Sequence, residues 1–485
     1  MKLDVLFPEA PEPTAQIEVA GLSADSRQIT PGMVFVALTG TVVDGKAFIA
    51  AAVSSGAVAV IGEGSRPRDL PENVAYLGVG NVRLALAKAA ARATPAMPAH
   101  VVAVTGTSGK SSVAEFTRQI FEACGRDAAS LGTLGVIRAG HASYGTLTTP
   151  DPVSLHRNLD ALARDGVTHL AMEASSHGLD QYRLDGVRLT AGAFTNLGHD
   201  HLDYHHDPEN YFAAKLRLFS EVLPEGSDAV VHTGSPYSDR VIAAARGHGL
   251  NVTTVGGAAD DLALRSREID GFEQVLMMSY HGHDYTVRLP LAGAFQADNA
   301  MVAAGLALVS GEKPDHVMAA LPDLVGVRGR LERVVSPPGS LIVIDYAHKP
   351  DGLKAVLETL RPACTGRLIC VFGCGGDRDR SKRPEMGEIA AHLADLVIVT
   401  DDNPRSEDPA AIRAAILAAA PQALDIADRQ RAINYAVGLL QTGDVLVVAG
   451  KGHETGQIFG TQVRPFSDHE AVASAVARLR PGGRQ

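Results

Sequence analysis

Lys110 stands in Gly106-Thr107-Ser108-Gly109-Lys110-Ser111-Ser112, directly after the apolar run 101–104 and ahead of a helical pattern. Glycines let backbone N–H groups close around phosphate oxygens, and a helix N-terminus adds positive potential. A lysine at this spacing reaches β- and γ-phosphates, and the serine after it can ligate Mg2+. The chemistry indicated is the binding of a nucleoside triphosphate. A plain Gly/Ser-rich turn would not need the strand–loop–helix context. In the common phosphate loop the first glycine stands five residues before the second, where this chain has Val104. The loop is therefore a shorter form, which points away from GTPases and kinases of the general type.

Glu173 closes the apolar run 167–173. A carboxylate at a strand end opposite a phosphate loop is placed for Mg2+, although an acid here can also cap a helix. FTNLGHDHLDYHHD, 194–207, carries His199, His201, His205 and His206 among acids. Their spacing fits no standard zinc motif, so a polar loop with one histidine serving the phosphates or Mg2+ is favoured over structural zinc. Lys215, in YFAAKLRLF, lies on a helical pattern and by itself reads as a solvated surface lysine. Asp401-Asp402-Asn403-Pro404-Arg405 follows the apolar run that ends at Val399. This loop offers acids, an amide, a stiffening proline and a guanidinium whose fork suits a carboxylate. Taken alone, Arg405 could also be a surface arginine after a turn.

These residues need strand ends to hold them, because ligands of open α/β sheets sit where parallel strands end. Apolar runs at 34–38, 58–61, 101–104, 167–172, 191–195, 228–232, 341–345, 368–372, 396–400 and 445–449 alternate with helical stretches. That alternation predicts an α/β fold of mainly parallel sheets with helices on both faces. Residues 262–290 alternate apolar and polar and contain His-Gly-His-Asp, which predicts a hairpin excursion. ATPAMPAH at 93–100 and SPPGS at 336–340 have linker chemistry. They divide the 485 residues into 1–98, 99–335 and 336–485, in line with ~150 residues per domain.

Composition excludes several classes. Acids outnumber bases 55 to 44 for a net charge of −11, the wrong sign for a phosphate-backbone binder. Aromatics are 5% and Trp is absent, which argues against a stacking platform for single-stranded nucleic acid. Cys124, Cys364, Cys370 and Cys374 are too few and too scattered for a disulfide framework and read as reduced core thiols. The acidic, proline-rich MKLDVLFPEAPEP is no signal peptide, and no apolar run reaches the ~18 residues of a membrane helix. A soluble, cytoplasmic protein without nucleic-acid partners or membrane insertion is expected.

The chain resembles the Mur ligases, ATP-dependent amide-forming enzymes of peptidoglycan precursor synthesis, over nearly all its length. The resemblance rests on GTSGKSS, TTPDP (148–152), MEASSHGLDQYR (172–183), FTNLGHDHLDYH, YFAAKLRLF, DNAMVAAGLAL (298–308), GRLE (329–332), DYAHKPD (345–351), FGCGGDRDRSKRP (372–384), DDNPR and GKGHE (450–454). It implies three domains: an N-terminal α/β UDP-binding domain, a central P-loop-type ATPase domain and a C-terminal Rossmann-like domain. The last three motifs imply a ligase that joins UDP-N-acetylmuramoyl-L-alanyl-D-glutamate to a diamino acid through an acyl phosphate. Asp-Asn-Pro-Arg is the version of the loop that goes with meso-diaminopimelate. A lysine-using ligase, another ligase of the pathway, a folate polyglutamylating relative and a non-catalytic nucleotide-binding relative are the competing readings.

By the same resemblance, ATP would meet residues 106–112, Asn299, Arg330 and Asp345. Two Mg2+ ions are implied, served by Ser111, Glu173 and Lys215, the last as a carbamate derived from CO2. Lys110, Glu173, His201 and Lys215 would be catalytic. The UDP-muramoyl dipeptide would meet Ser26, Thr148, Thr149, Ser175, Gln181 and Arg183. Diaminopimelate would meet Arg378, Asp402, Asn403, Pro404, Arg405, Gly450 and Glu454, and a monomer is expected. Ser108, Leu147, Gln296 and Lys349 depart from the family pattern, where Asn, Asn, Asn and Thr are usual; Leu147 and Lys349 put individual ligand contacts in doubt.

Overall fold

The strands form where the sequence is apolar without alternation. Leu341–Asp345, Leu368–Phe372 and Val445–Ala449 are buried along their whole length. Runs rich in Val and Ile and covered on both faces are the mark of a parallel sheet with helices above and below. The structure is a computed structural model and describes residues 1–40, 44–143, 147–198 and 200–479. His199 lies outside the described residues.

Two compact units are resolved: Met1–Ala263 with Met301–Val317, and Leu264–Ala300 with the chain from Met318 onward. The first unit holds two sheets. Gly21–Ser23, Met33–Val36, Ala59–Glu63 and Ala75–Val79 form a parallel four-stranded sheet in chain order. The 93–100 stretch leads from this sheet's last helix, Val82–Ala93, to the first strand of the second sheet, His100–Thr105. The parallel heart of that sheet runs Ala128–Gly132, His169–Glu173, His100–Thr105, Ala191–Phe194, Asp228–His232, Asn251–Val255 in space. Gly135–Arg138 and His141–Ser143 extend it antiparallel beyond Ala128–Gly132.

In the second unit, Glu273–Tyr280 and His283–Leu289 pair antiparallel, as the alternation at 262–290 predicts. Its main sheet runs Glu332–Val334, Leu341–Asp345, Val445–Ala449, Leu368–Phe372, Leu396–Val399, Leu424–Asp425, all parallel except the first. The 336–340 stretch is a tight turn joining the first two of these strands, with Ser340 N–H donating to Pro337 O. Alternate residues serve opposite cores. Leu341 and Val343 pack with Leu353, Leu357 and Met386, while Ile342 and Ile344 pack with Ile433, Val437 and Val472.

Helix starts follow a recurrent Asp-Pro signal. Asp151, Asp207 and Asp408 each cap a helix whose first residue is proline, accepting from Val153, Asn210 and Ala410 N–H respectively. Proline tolerates that position because its missing N–H would have had no partner, and each cap contributes about 1 kcal/mol. All four cysteines are free. Cys370 and Cys374 are core thiols, but Cys124 and Cys364 are only half-buried: Cys124 caps a helix end and Cys364 follows one, and both positions face partly outward.

Arg429 and Asp468 form an ion pair with both side chains at 0% exposure. Arg429 bonds both oxygens of Asp468 at 2.7 and 2.8 Å and donates to Ala449 O at 2.9 Å. It ties two helices to the end of the Val445–Ala449 strand. Asp468→Ala would strand the guanidinium in the interior and should cost about 3–5 kcal/mol, read as a lowered urea midpoint. Replacing both partners by apolar residues of similar volume should recover most of that loss.

Candidate active site

In the first unit the chemistry-bearing residues sit on turns that follow parallel strands. Gly106–Gly109 follows His100–Thr105, and Lys110–Ala123 begins immediately after it. Gly109 caps that helix with φ +88, a left-handed conformation natural to glycine. The first N–H groups of the helix are left without intrahelical acceptors. The 194–198 stretch braces the loop. Asn196 O accepts from Thr107 N–H, Asn196 Oδ1 accepts from Ser108 N–H, and Thr195 Oγ1 donates to Ser108 O. Lys110 Nζ folds back onto Gly106 O at 2.9 Å and Thr107 O at 3.0 Å. Ser108 is exposed and Ser112 buried.

Glu173 ends its strand level with Val104 and is 3% exposed. Its Oε1 accepts from Ser111 Oγ and from Thr133 N–H, both at 2.8 Å, and Thr133 Oγ1 donates to Oε2. It does not cap the helix that follows; Ser175 does, accepting from Gly178 N–H. A Cβ on Gly132 would lie 2.0 Å from Glu173 Oε1, so only glycine admits the carboxylate here. Ser111 and Glu173 form an all-oxygen donor set at the mouth of a phosphate loop, which fits a hard cation such as Mg2+.

Lys215 corrects the reading of a solvated lysine. It is 1% exposed, on the helix Pro208–Arg217, and donates to Gly106 O at 2.8 Å. Lys110 and Lys215 thus converge on one carbonyl oxygen. Burial, and then the Lys110 ammonium, hold the Lys215 amine well below the usual lysine range, against an opposing pull from Asp200. Tyr211, one helical turn earlier, lies under Lys215 at 4.4 Å and pairs its hydroxyl with Thr107 Oγ1 at 3.2 Å. Burial pushes Tyr211 up to about 12.

His201 and His205 of the 194–207 stretch pack ring against ring with His177. His177 touches His201, Tyr204 and His205, and His205 touches Tyr211. Burial, with His201 and His205 beside it, draws His177 down to about 4. His201 is half-exposed at φ +54, its N–H on Asp200 Oδ1 at 2.9 Å. Among the described residues no group of three or more His, Cys, Asp or Glu side chains has metal-binding geometry.

A cavity of about 330 Å3 opens in the same unit. Gln181 and Arg183 line it, with Asp25, Gln28, Arg83 and Arg157. Ser26 is not among the lining residues, whereas the neighbouring Asp25 and Gln28 are. Thr148, Thr149 and Ser175 bond elsewhere, around Thr133 and Glu173. Thr148 Oγ1 pairs with Thr133 Oγ1, while Ser175 Oγ donates to Thr149 Oγ1, which donates to Glu173 O. Arg183 bonds Thr149 O and Gln181 Oε1. Leu147 is exposed.

In the second unit four loops follow the strand ends of the main sheet. Asp402, Asn403 and Pro404 are buried, and Arg405 is half-buried at φ +53. Arg405 N–H donates to Ile458 O, its carbonyl accepts from Gly460 N–H, and Nη1 bonds Gly376 O at 2.8 Å. Asn403 Nδ2 donates to Glu454 Oε2 at 2.9 Å. Lys451, wholly buried, reaches Asp402, Asn403 and Glu454. Arg378 is exposed and bonds Asp377 O, and Gly450 has φ +113. Asp345 accepts from Leu331 and Ala347 N–H, and burial raises its carboxyl. Arg330 stacks over Tyr346, and Asn299 donates to Gln296 Oε1. Lys349 caps the helix Pro350–Leu360 without a side-chain bond to it.

Tyr211, Thr133 and Lys451 were not singled out from sequence. Tyr211 had a signal in its i,i+4 spacing to Lys215. Lys451 stands between Gly450 and Glu454 in GKGHE, but lysines are usually exposed and nothing in the segment marks this one as buried. Thr133 had none.

Residues 104–307 match the Mur ligase middle domain, 329–452 the Mur ligase, glutamate ligase domain, and 18–94 the Mur ligase family, catalytic domain. A Bradyrhizobium diazoefficiens protein named UDP-N-acetylmuramoyl-L-alanyl-D-glutamate--2,6-diaminopimelate ligase is 55% identical over 469 residues, 96% of each chain. A Mesorhizobium japonicum protein of the same name is 56% identical over 465 residues, again 96% of each. A solved structure of a ligase with that name is 31% identical and superposes with a TM-score of 0.75, covering 98% of this chain and 99% of its own. With matching segments in order along the chain and more than half the residues shared with full-length relatives, this chain belongs to the Mur ligase family.

Proposed function

We propose that this protein is an ATP-dependent ligase that joins meso-2,6-diaminopimelate to UDP-N-acetylmuramoyl-L-alanyl-D-glutamate in peptidoglycan precursor synthesis. The names of its full-length relatives support the substrate pair. The observation that carries the third substrate is one loop holding two complementary groups. Arg405 offers a guanidinium, and Asn403 is bonded to the Glu454 carboxylate. The far end of diaminopimelate bears a carboxylate and an ammonium, which these groups would pair. L-Lysine lacks that carboxylate and would leave the guanidinium unmatched.

A carboxylate resists attack by an amine because oxide is a poor leaving group. ATP removes that obstacle by converting the D-glutamyl carboxylate to an acyl phosphate, which the diamino acid's amine attacks with loss of phosphate. The 106–112 loop would cradle the nucleotide phosphates, with Lys110 exchanging two loop carbonyls for phosphate oxygens. Ser111 and Glu173 would hold Mg2+, which neutralises charge on the transferring phosphoryl group. His201, packed against His177, would meet phosphate on the family pattern. A neutral Lys215 amine is the form that adds CO2, and its carbamate would suit a second Mg2+. Gln181 and Arg183, with Thr148, Thr149 and Ser175, would hold the muramoyl dipeptide, and residues 1–98, including Ser26, the uridine. In the second unit Asn299, Arg330 and Asp345 are assigned to the nucleotide, and Arg378, Asp402, Pro404 and Gly450 to the diamino acid, on the family pattern.

Phosphate release with ATP, Mg2+ and the UDP-muramoyl dipeptide should appear with meso-diaminopimelate and not with L-lysine. Equal release with lysine would overturn the role of Arg405, and no release with either would overturn the ligase. Arg405→Met should lower kcat/KM for diaminopimelate by about a hundredfold or more. Lys215→Ala should lower kcat by about a hundredfold. In the wild type, falling pH returns Lys215 to the ammonium that cannot take CO2, so activity should drop on the acid side. Added bicarbonate should move that limb to lower pH; a limb indifferent to bicarbonate would rule out the carbamate.

A further inference from the structure

Lys451 is shut off from solvent, and every donor it carries is met. Its side chain is 0% exposed, and an ammonium carries three N–H groups. Three acceptors meet them: Asp402 Oδ1 at 3.3 Å, Asn403 Oδ1 at 3.1 Å and Glu454 Oε2 at 3.1 Å. Asn403 is oriented by the same contact. With Oδ1 taken by Lys451 and by Ile458 N–H at 3.0 Å, its Nδ2 points to Glu454 Oε2 at 2.9 Å. Both bonds to Glu454 thus fall on a single oxygen. Its Oε1 takes no hydrogen bond among the described residues, and the side chain is 34% exposed. Two carboxylates and one ammonium leave the cluster one negative charge in excess.

We infer that Lys451 is a positioning residue for the third substrate: it pins Glu454 and Asn403 so that Glu454 Oε1 is presented, already oriented, to the far ammonium of the diamino acid. This rests on the reading of the 402–405 loop as the diamino-acid site. The division of labour is chemical. Arg405 reads the far carboxylate, and the cluster built on Lys451 reads the far ammonium. Without the buried cation, Asp402 and Glu454 would repel each other, and Glu454, the more exposed, would turn to water. The substrate would then have to order it on binding, which weakens ground-state and transition-state contacts alike and appears mainly in KM.

The test uses the intact enzyme and two amino acids, meso-diaminopimelate and 2-aminopimelate, which keeps the far carboxylate and lacks the far amine. Wild type should prefer diaminopimelate by about a hundredfold in kcat/KM; failure of wild type on diaminopimelate would overturn the ligase reading itself. Lys451→Met, and Lys451→Gln, which keeps an N–H donor for the interior, should raise KM for diaminopimelate about tenfold or more. The KM values for ATP and the UDP-muramoyl dipeptide should stay put, and the preference over 2-aminopimelate should collapse towards unity. An undiminished preference, or equal rises in KM for all three substrates, would overturn the inference. Loss of the fold in both variants, read by circular dichroism, would make Lys451 a structural cation and overturn it too.

Discussion

An ammonium group moved out of water must be compensated by its surroundings, and this chain buries two of them in opposite company. Lys215 is met by one carbonyl oxygen and a second ammonium, that of Lys110. Such surroundings disfavour the charged form and leave an amine able to act as a nucleophile. Lys451 is met by two carboxylates and an amide oxygen. Such surroundings use the charge as a fastener. The first arrangement serves reactivity, the second geometry, and the difference lies in which acceptors the backbone brings within 3 Å or so of the nitrogen.

The backbone does this with one device, repeated. Parallel strands buried on both faces all point the same way, so their C-terminal ends lie level and the turns after them cluster. Thr105, Glu173 and Phe194 end neighbouring strands in register, and the phosphate loop, the Ser175 cap and the Asn196 brace begin there. Asp345, Ala449 and Phe372 do the same for the loops that carry Tyr346, Lys451 and Gly376. Close approach then makes the contacts specific: Glu173 can reach Ser111 because Gly132 has no side chain in its path.

Most of the architecture was legible. The unbroken apolar runs predicted ten of the parallel strands to within a residue or two but missed Gly21–Ser23, Ala75–Val79, Ala128–Gly132, Asn251–Val255 and Leu424–Asp425, which are short or broken by polar and small residues. The alternation at 262–290 predicted the hairpin of Glu273–Tyr280 and His283–Leu289. The phosphate loop and Glu173 were legible because their chemistry is local: a strand end, glycines, a lysine and a helix start within a dozen residues. The histidine stretch was less so, since only packing reveals that His177, His201 and His205 meet each other's rings. Ser26 was placed by motif, while the cavity wall is built by its neighbours Asp25 and Gln28.

Residue order and type were enough to settle what is periodic or contiguous: the long apolar strands, the strand–loop–helix around Lys110, and the family to which the motifs point. Tertiary structure alone decided which lysines are buried and what surrounds them. Lys215 and Lys451 look like surface residues in their own segments. Their environments come from Gly106, 109 residues away from Lys215, and from Asp402, 49 away from Lys451. Burial and charge pairing depend on atoms that only the folded chain brings together, and no local pattern encodes them.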